Sequence, residues 1–178
     1  VLEVLEDIAV SSELLEFARP TQLDRKPSDM NEVLNHSARL VEQEAAAKNI
    51  DIQLNLPSDP VKADVDPDRL TQCFLNLFLN ALQAMENGGR LTVSSSTGVN
   101  GDIAIDIKDN GSGISAEDLS KIFDPYFTTK PKGTGLGLAI VHKIIEAHQG
   151  QIKVRSSIGR GTVFSIALPL GAGEMRVS

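Results

Sequence analysis

Apolar residues at Leu2, Leu5, Ile8, Leu15 and Phe17, with acids between them, predict a helix over residues 1–18 that Arg19-Pro20 stops. No other residue within that segment can cover the apolar stripe, so the pattern predicts pairing with another helix or with a second copy of the chain. Because it begins inside an apparent helix, the chain reads as a piece excised from a longer protein. Asp29 with Glu32 three residues on has the spacing of a capping box, and Val33, Leu34, Ala38, Val41 and Ala45 continue it as a helix to about Lys48-Asn49. Ile50, Ile52, Leu54 and Leu56 then alternate with Asp51, Gln53 and Asn55, the period of a strand with one buried face. A short Pro-containing loop leads to Asp66-Pro67, an N-cap acid before a first-turn proline, which opens a helix over the apolar run from Leu70 to Met85.

Leu91 and Val93 mark another strand, and Ile103, Ile105 and Ile107 the next, joined by a hairpin across Asn100-Gly101. A short helix is expected over residues 115–122, a loop over 123–136, and a long helix running to His148 and closing at Gly150. A last hairpin sets Ile152 and Val154 against Val163, Phe164, Ile166 and Leu168, and "GAGEMRVS" follows as a frayed tail. Strands mixed with helices and linked by an Asn-Gly hairpin predict an α+β fold, with helices on one face of a largely antiparallel sheet.

The composition, 41% hydrophobic and 23% charged, is that of a globular protein, and no apolar run nears the roughly 18 residues of a membrane span, so this segment is expected to be soluble and outside the membrane. A formal charge of -7 argues against nucleic acid as a partner, and any polyanionic ligand needs a local exception. Cys73 stands alone, which excludes an internal disulfide or a CxxC metal site and leaves it as a buried helix residue. No signal peptide is visible.

Three stretches carry candidate chemistry. "KDNGSGISAED" sets Asp109, Asn110, Gly111 and Gly113 at a strand exit, where acid and glycines can serve a tight turn or a ligand. "KPKGTGLGLAI" sets Gly133, Gly135 and Gly137 at alternate positions before a helix, an arrangement that lets a phosphate approach backbone N–H groups at the helix start. It is neither a dinucleotide fingerprint nor a P-loop. Lys130 and Lys132 supply positive charge just upstream, or are solvated loop lysines. In "NLFLNALQA", Asn76 and Asn80 lie four apart on one helix face within an apolar run. Buried amides need partners, which neighbouring backbone or a ligand or hydrated cation can provide.

Together, and in this order, these stretches resemble the nucleotide-binding pocket of the gyrase, Hsp90, histidine kinase and MutL superfamily: "NLFLNALQA" its N box, "DNGSGI" its G1 box, "FDPYFTTK" the F box of sensor kinases and "GTGLGLAI" its G2 box. Within it the chain is most similar to NtrB-like sensor histidine kinases, and most nearly to metal-responsive membrane sensors that partner NtrC-type regulators. The resemblance covers residues 20–170. It implies a two-layer α/β sandwich, the Bergerat fold, with ATP and Mg²⁺ as ligands. Asp109 would accept from the adenine amine, Gly111 and Gly113 would let the nucleotide lie against the backbone with Ile114 beside it, and Thr162 would reach adenine through water. Asn80 would hold Mg²⁺ and Asn76 would support that site. Residues 123–136 would form the ATP lid, in which Lys130 and the backbone of Gly133, Thr134, Gly135, Leu136, Gly137 and Leu138 grip the triphosphate.

The same resemblance implies that residues 1–20 are what remains of the second helix of a dimerisation and phosphoacceptor hairpin, 21–170 the catalytic domain and 171–178 a tail. The whole protein would be a homodimer that phosphorylates the receiver domain of a response regulator, with this segment on the cytoplasmic side. The chain departs from the family in two places. The "H-E-x-R-N-P" box is missing, and His36, His142 and His148 lack its neighbours, so they read as surface or packing residues. Where many sensor kinases carry a basic residue one turn after the Mg²⁺ asparagine, Gln83 stands here, which makes Lys130 the candidate cation for the γ-phosphate. Three functions follow: a histidine kinase domain, an ATPase of the gyrase type, or a nucleotide-binding module. Asn76 favours the first over the second, because those ATPases place there a glutamate that activates water and an amide cannot take that proton.

Overall fold

The computed structural model describes residues 11–98 and 101–170. Residues 11–18 are helical (α1), and the chain continues through β1 (Lys26–Asp29), α2 (Met30–Ala47), β2 (Ile50–Asn55), β3 (Lys62–Val65), α3 (Pro67–Ala84), β4 (Gly89–Thr97) and β5 (Ile103–Asp109). After α4 (Ala116–Leu119) come α5 (Gly137–Ala147), β6 (Gln151–Ser157) and β7 (Gly161–Leu168). Five strands form one sheet in the order β2-β4-β5-β7-β6, antiparallel except for the parallel pair β2/β4. This is the expected α+β architecture.

Alternation decides which sheet face is covered. Ile103, Ile105 and Ile107 of β5 are buried while Asp106 and Lys108 face solvent. Phe164, Ile166 and Leu168 of β7 and Leu91 and Val93 of β4 join them, and α2, α3 and α5 pack side by side against this apolar layer. Helix α3 is the centre of the core. Leu70, Cys73, Phe74, Leu77, Phe78, Ala81 and Leu82 form one buried stripe at helical spacing. The Asp66 carboxylate caps it by accepting from the N–H groups of Asp68 and Arg69 at 3.1 and 3.0 Å. Asp29 caps α2 in the same manner, accepting from Asn31 at 3.0 Å.

Some expectations need correction. The Pro-containing loop before Asp66 contains β3, which pairs antiparallel with β1 in a separate two-stranded sheet. Both strands are four residues long; Pro27 interrupts β1, and β3 alternates Ala63 and Val65 with Lys62 and Asp64 over too short a run to stand out from the loop. The short helix over 115–122 is reduced to α4, capped by Ser115. At the end of α5 the left-handed residue is Gln149 (φ 60°), while Gly150 leaves room for the carbonyl of Ala167.

The helix expected over 1–18 is described from residue 11 onward, and there its stripe is covered in part by the chain itself. Phe17 packs against the core, and the Lys143 ammonium of α5 lies 5.4 Å from its ring centroid while donating to the carbonyls of Phe17 and Arg19, each at 2.6 Å. Glu16 pairs with Arg69, whereas Leu14 and Leu15 remain exposed. Residues 1–10, the Asn100 turn and the tail over 171–178 lie outside the described residues. Among the described residues no helix is long and apolar enough to cross a membrane.

Candidate functional site

The register of the central strands places an acid where a hydrophobe would continue the pattern. Asp109 follows Ile103, Ile105 and Ile107 at the next inward position of β5, between Leu91 of β4 and Thr162 of β7. Its side chain therefore points toward the helices, and the residue is only 5% exposed. Oδ1 accepts from the N–H groups of Gly111 at 2.8 Å and Thr162 at 3.3 Å. Burial pushes its carboxyl above the usual carboxylate range, and those two hydrogen bonds oppose the shift without cancelling it. A buried, lightly compensated carboxylate at a cavity wall is a group poised for a ligand.

That wall belongs to a cavity of about 730 Å³ between the end of β5, α3 and the loop before α5. It brings together Asn76, Asn80, Asp109, Gly113, Ile114, Lys130, Gly133, Thr134, Gly135, Gly137, Leu138 and Thr162 from four distant stretches of sequence. Gly111 and Leu136 do not line it. An added Cβ at Gly111 would stand 2.6 Å from the Ala84 carbonyl oxygen, so this glycine lets the turn close on the end of α3. Leu136 is a core side chain directly before α5. Gly113 has φ 74° and its Cβ would meet the Ser157 carbonyl oxygen at 2.0 Å. The glycines of this turn are thus required by the protein's own backbone packing, before any nucleotide is considered. Gly137, by contrast, has nothing within 4 Å of an added Cβ, so the start of α5 stands open.

The two α3 amides resolve differently. Asn76 donates through Nδ2 to the Gly137 carbonyl at 3.3 Å, tying α3 to the first turn of α5. Asn80 Oδ1 accepts from the Lys130 ammonium at 3.0 Å, and the same ammonium contacts Oε1 of Gln83. Burial around the ammonium, together with the charge of Lys48, holds the Lys130 pKa below its ordinary value, although much of the residue is exposed. Thr162, 4% exposed, shares a 2.8 Å hydroxyl contact with Ser156. Ile114 and Leu138 add apolar wall.

Sequence reasoning took Gln83 only as the lack of a cation, not as an acceptor, and did not foresee Glu13. The Gln83 oxygen falls three residues after Asn80 on α3, which helical spacing alone could have signalled. Glu13 of α1 also lines the cavity and accepts from the Thr134 hydroxyl, a contact across 121 residues that no local pattern foretells. Of the histidines, His36 is exposed, and His142 lies 5.4 Å from Phe123, ring centroid to ring centroid, and 3.9 Å from Glu146. His148 is buried and does more than fill space. Nδ1 lies 2.8 Å from the Ile144 carbonyl and Nε2 accepts from the Asp66 N–H at 3.1 Å, so the neutral tautomer carries its proton on Nδ1.

A mixed five-stranded sheet covered by helices, with an acid at a strand end facing a glycine-rich loop, is the catalytic-domain fold of sensor histidine kinases. The structure of full-length ShkA in complex with AMPPNP matches it with a TM-score of 0.86 at 28% identity, covering 95% of this chain and 37% of that one. ThkA in complex with the response regulator TrrA matches with a TM-score of 0.80 at 28% identity, covering 95% and 48%. In sequence the chain is 46% identical to the sensor histidine kinase ZraS of Escherichia coli K12 over 90% of this chain and 34% of that protein. It is 35% identical to sporulation kinase E of Bacillus subtilis 168 over 91% and 22%. The chain thus spans about a third or less of the length of these relatives. It belongs to the histidine kinase-, DNA gyrase B-, and HSP90-like ATPase family, whose pattern matches residues 65–172.

Proposed function

We propose that this chain is the ATP-binding catalytic part of a sensor histidine kinase, and that it moves the γ-phosphoryl of ATP to a histidine on a hairpin outside this sequence. The observation that carries the reading is the convergence of Asp109, the α3 amides and the glycine loop on one cavity. Oδ1 of Asp109 is occupied by two backbone N–H groups, which leaves Oδ2 to accept from the exocyclic amine of adenine. Thr162 beside it orients a bridging water. The triphosphate then extends toward α5, where backbone N–H groups over 133–138 and the open face at Gly137 receive it.

The chemistry of the donors fits a divalent cation held jointly with the nucleotide. Among the described residues no cluster of three or more His, Cys, Asp or Glu could hold a metal alone. Asn80 Oδ1 is a hard oxygen that already attracts a cation, and Mg²⁺ is commonly held by one or two protein oxygens plus phosphates and water. Bound there, it would neutralise charge on the phosphates. Asn76 keeps α3 and α5 in register, and Lys130 stabilises the γ-phosphate as charge shifts during transfer.

An amide at position 76 removes the water-activating carboxylate that an ATPase of this superfamily needs, which supports transfer over hydrolysis. The partner assignments, a second copy through the hairpin helices and the receiver domain of a response regulator, rest on likeness to proteins such as ThkA. The cytoplasmic side of a membrane-anchored sensor is the location that fits them.

Calorimetry tests the pocket. Asp109→Ala should weaken ATP binding measured in excess Mg²⁺ by about ten- to a hundredfold, the range for losing a hydrogen bond to a charged group. GTP should bind poorly to the parent, since guanine offers a carbonyl where adenine offers the amine. Unchanged ATP affinity in a folded Asp109→Ala protein would remove Asp109 from the site.

A further inference from the structure

The last turn of α3 contains no basic residue of its own, yet two cations converge on it. Lys48, just after α2, donates to the Leu82 carbonyl at 2.9 Å, and Lys130 reaches down from the loop to Asn80 and Gln83. A helix C-terminus carries partial negative charge, and both Asn80 and Gln83 add a carbonyl dipole aimed at the same point. The cavity has therefore gathered oxygen acceptors around one cation position and filled it from the lid.

The acceptor that Lys130 occupies is the oxygen assigned above to the divalent cation. An ammonium and a divalent ion repel, so the two compete for Asn80. Gln83 changes the outcome. Standing three residues further along α3, it can keep hold of the ammonium after Asn80 is given up, and so retain it at the phosphate end of the cavity. We propose that Lys130 is a built-in surrogate for the divalent cation, neutralising nucleotide phosphates when metal is absent, and that Gln83 is the positioning residue that keeps it there when metal takes Asn80. This rests on the nucleotide-site reading and deepens it.

The consequence is a nucleotide affinity that depends only weakly on metal. ATP binding is measured calorimetrically in excess Mg²⁺ and again with a chelator, for the parent, Lys130→Ala, Lys130→Arg and Gln83→Leu. The parent should lose little affinity on chelation. Lys130→Ala should lose less affinity in Mg²⁺ than without it, where the loss relative to the parent should reach about ten- to a hundredfold, the range expected of one charge-assisted contact. Lys130→Arg should restore most metal-free binding, and Gln83→Leu should fall between parent and Lys130→Ala. Lys130 and Gln83 are exposed, so these changes leave the core intact. An equal loss for Lys130→Ala with and without metal would overturn the proposal, because Lys130 would then be an ordinary phosphate contact. No loss in either condition would overturn it as well. If the parent itself fails to bind ATP in Mg²⁺, the nucleotide-site reading falls and takes this inference with it.

Discussion

Asp109 shows what a buried acid at a cavity wall costs the fold. Its carboxyl is harder to ionise in the folded chain than in the unfolded one, with burial the larger cause. The folded state therefore binds the proton more tightly, so stability falls as pH rises from the unfolded pKa through the raised folded one, and the cost is complete above the folded pKa. An amide at this position escapes that cost, and its oxygen can still accept from Gly111 and Thr162. Asp109→Asn should thus keep or raise the melting temperature at pH 7, while its NH₂ group opposes the adenine amine and ATP binding is lost. A fall of more than about 3 °C, roughly 1 kcal/mol for a domain of this size, would contradict the account, as would retained affinity. Asp109 was legible because an acid followed by two glycines at a strand exit stands out, and its inward direction could be read from the period of Ile103, Ile105 and Ile107. The packing reasons for Gly111 and Gly113 were not, since their neighbours Ala84 and Ser157 lie far along the chain.

Elements with strong periods and caps were legible in proportion to their length. Helix α3 shows proline, cap and apolar stripe together, whereas β1 shows no period, β3 alternates over four residues only, and the two are held by each other. The joint between α5 and α3 was illegible for another reason: a histidine in a helix pattern gives no sign of which distant N–H it will meet. His148 links the end of α5 to the cap residue of α3, and it must be neutral to accept from Asp66. Burial lowers its pKa first, the Ile144 hydrogen bond opposes this, and the charges of Arg25 and Asp66 act in opposite directions. With the folded pKa depressed, the stability tied to the neutral ring is present above the unfolded value of about 6.5 and is lost as pH falls toward the folded one. Urea melts should therefore show the parent losing stability between about pH 7 and pH 5, while His148→Gln starts lower but is flatter across that range. Equal slopes for the two proteins would remove His148 as the source.

At the scale of the whole molecule, the chain is an α+β fold of the histidine kinase-like ATPase family with a helical segment packed on it through Phe17, Glu16 and Glu13. The fold class and the cavity were legible because three motifs lie in a characteristic order, two of them at element boundaries and one on a face of α3. The docking was not, since Lys143 and Arg69 read as ordinary solvated helix residues until α1 is seen against them. What the molecule does with the γ-phosphate is the central claim, and following that phosphate tests it most directly. The chain is mixed with Mg²⁺, γ-labelled ATP and a separate hairpin bearing the acceptor histidine, and the label is traced. The account predicts label on the hairpin in an acid-labile, alkali-stable bond, with little free phosphate when the hairpin is left out. Rapid release of free phosphate at one rate with or without the hairpin, and no label on histidine, would contradict it and make the chain an ATPase.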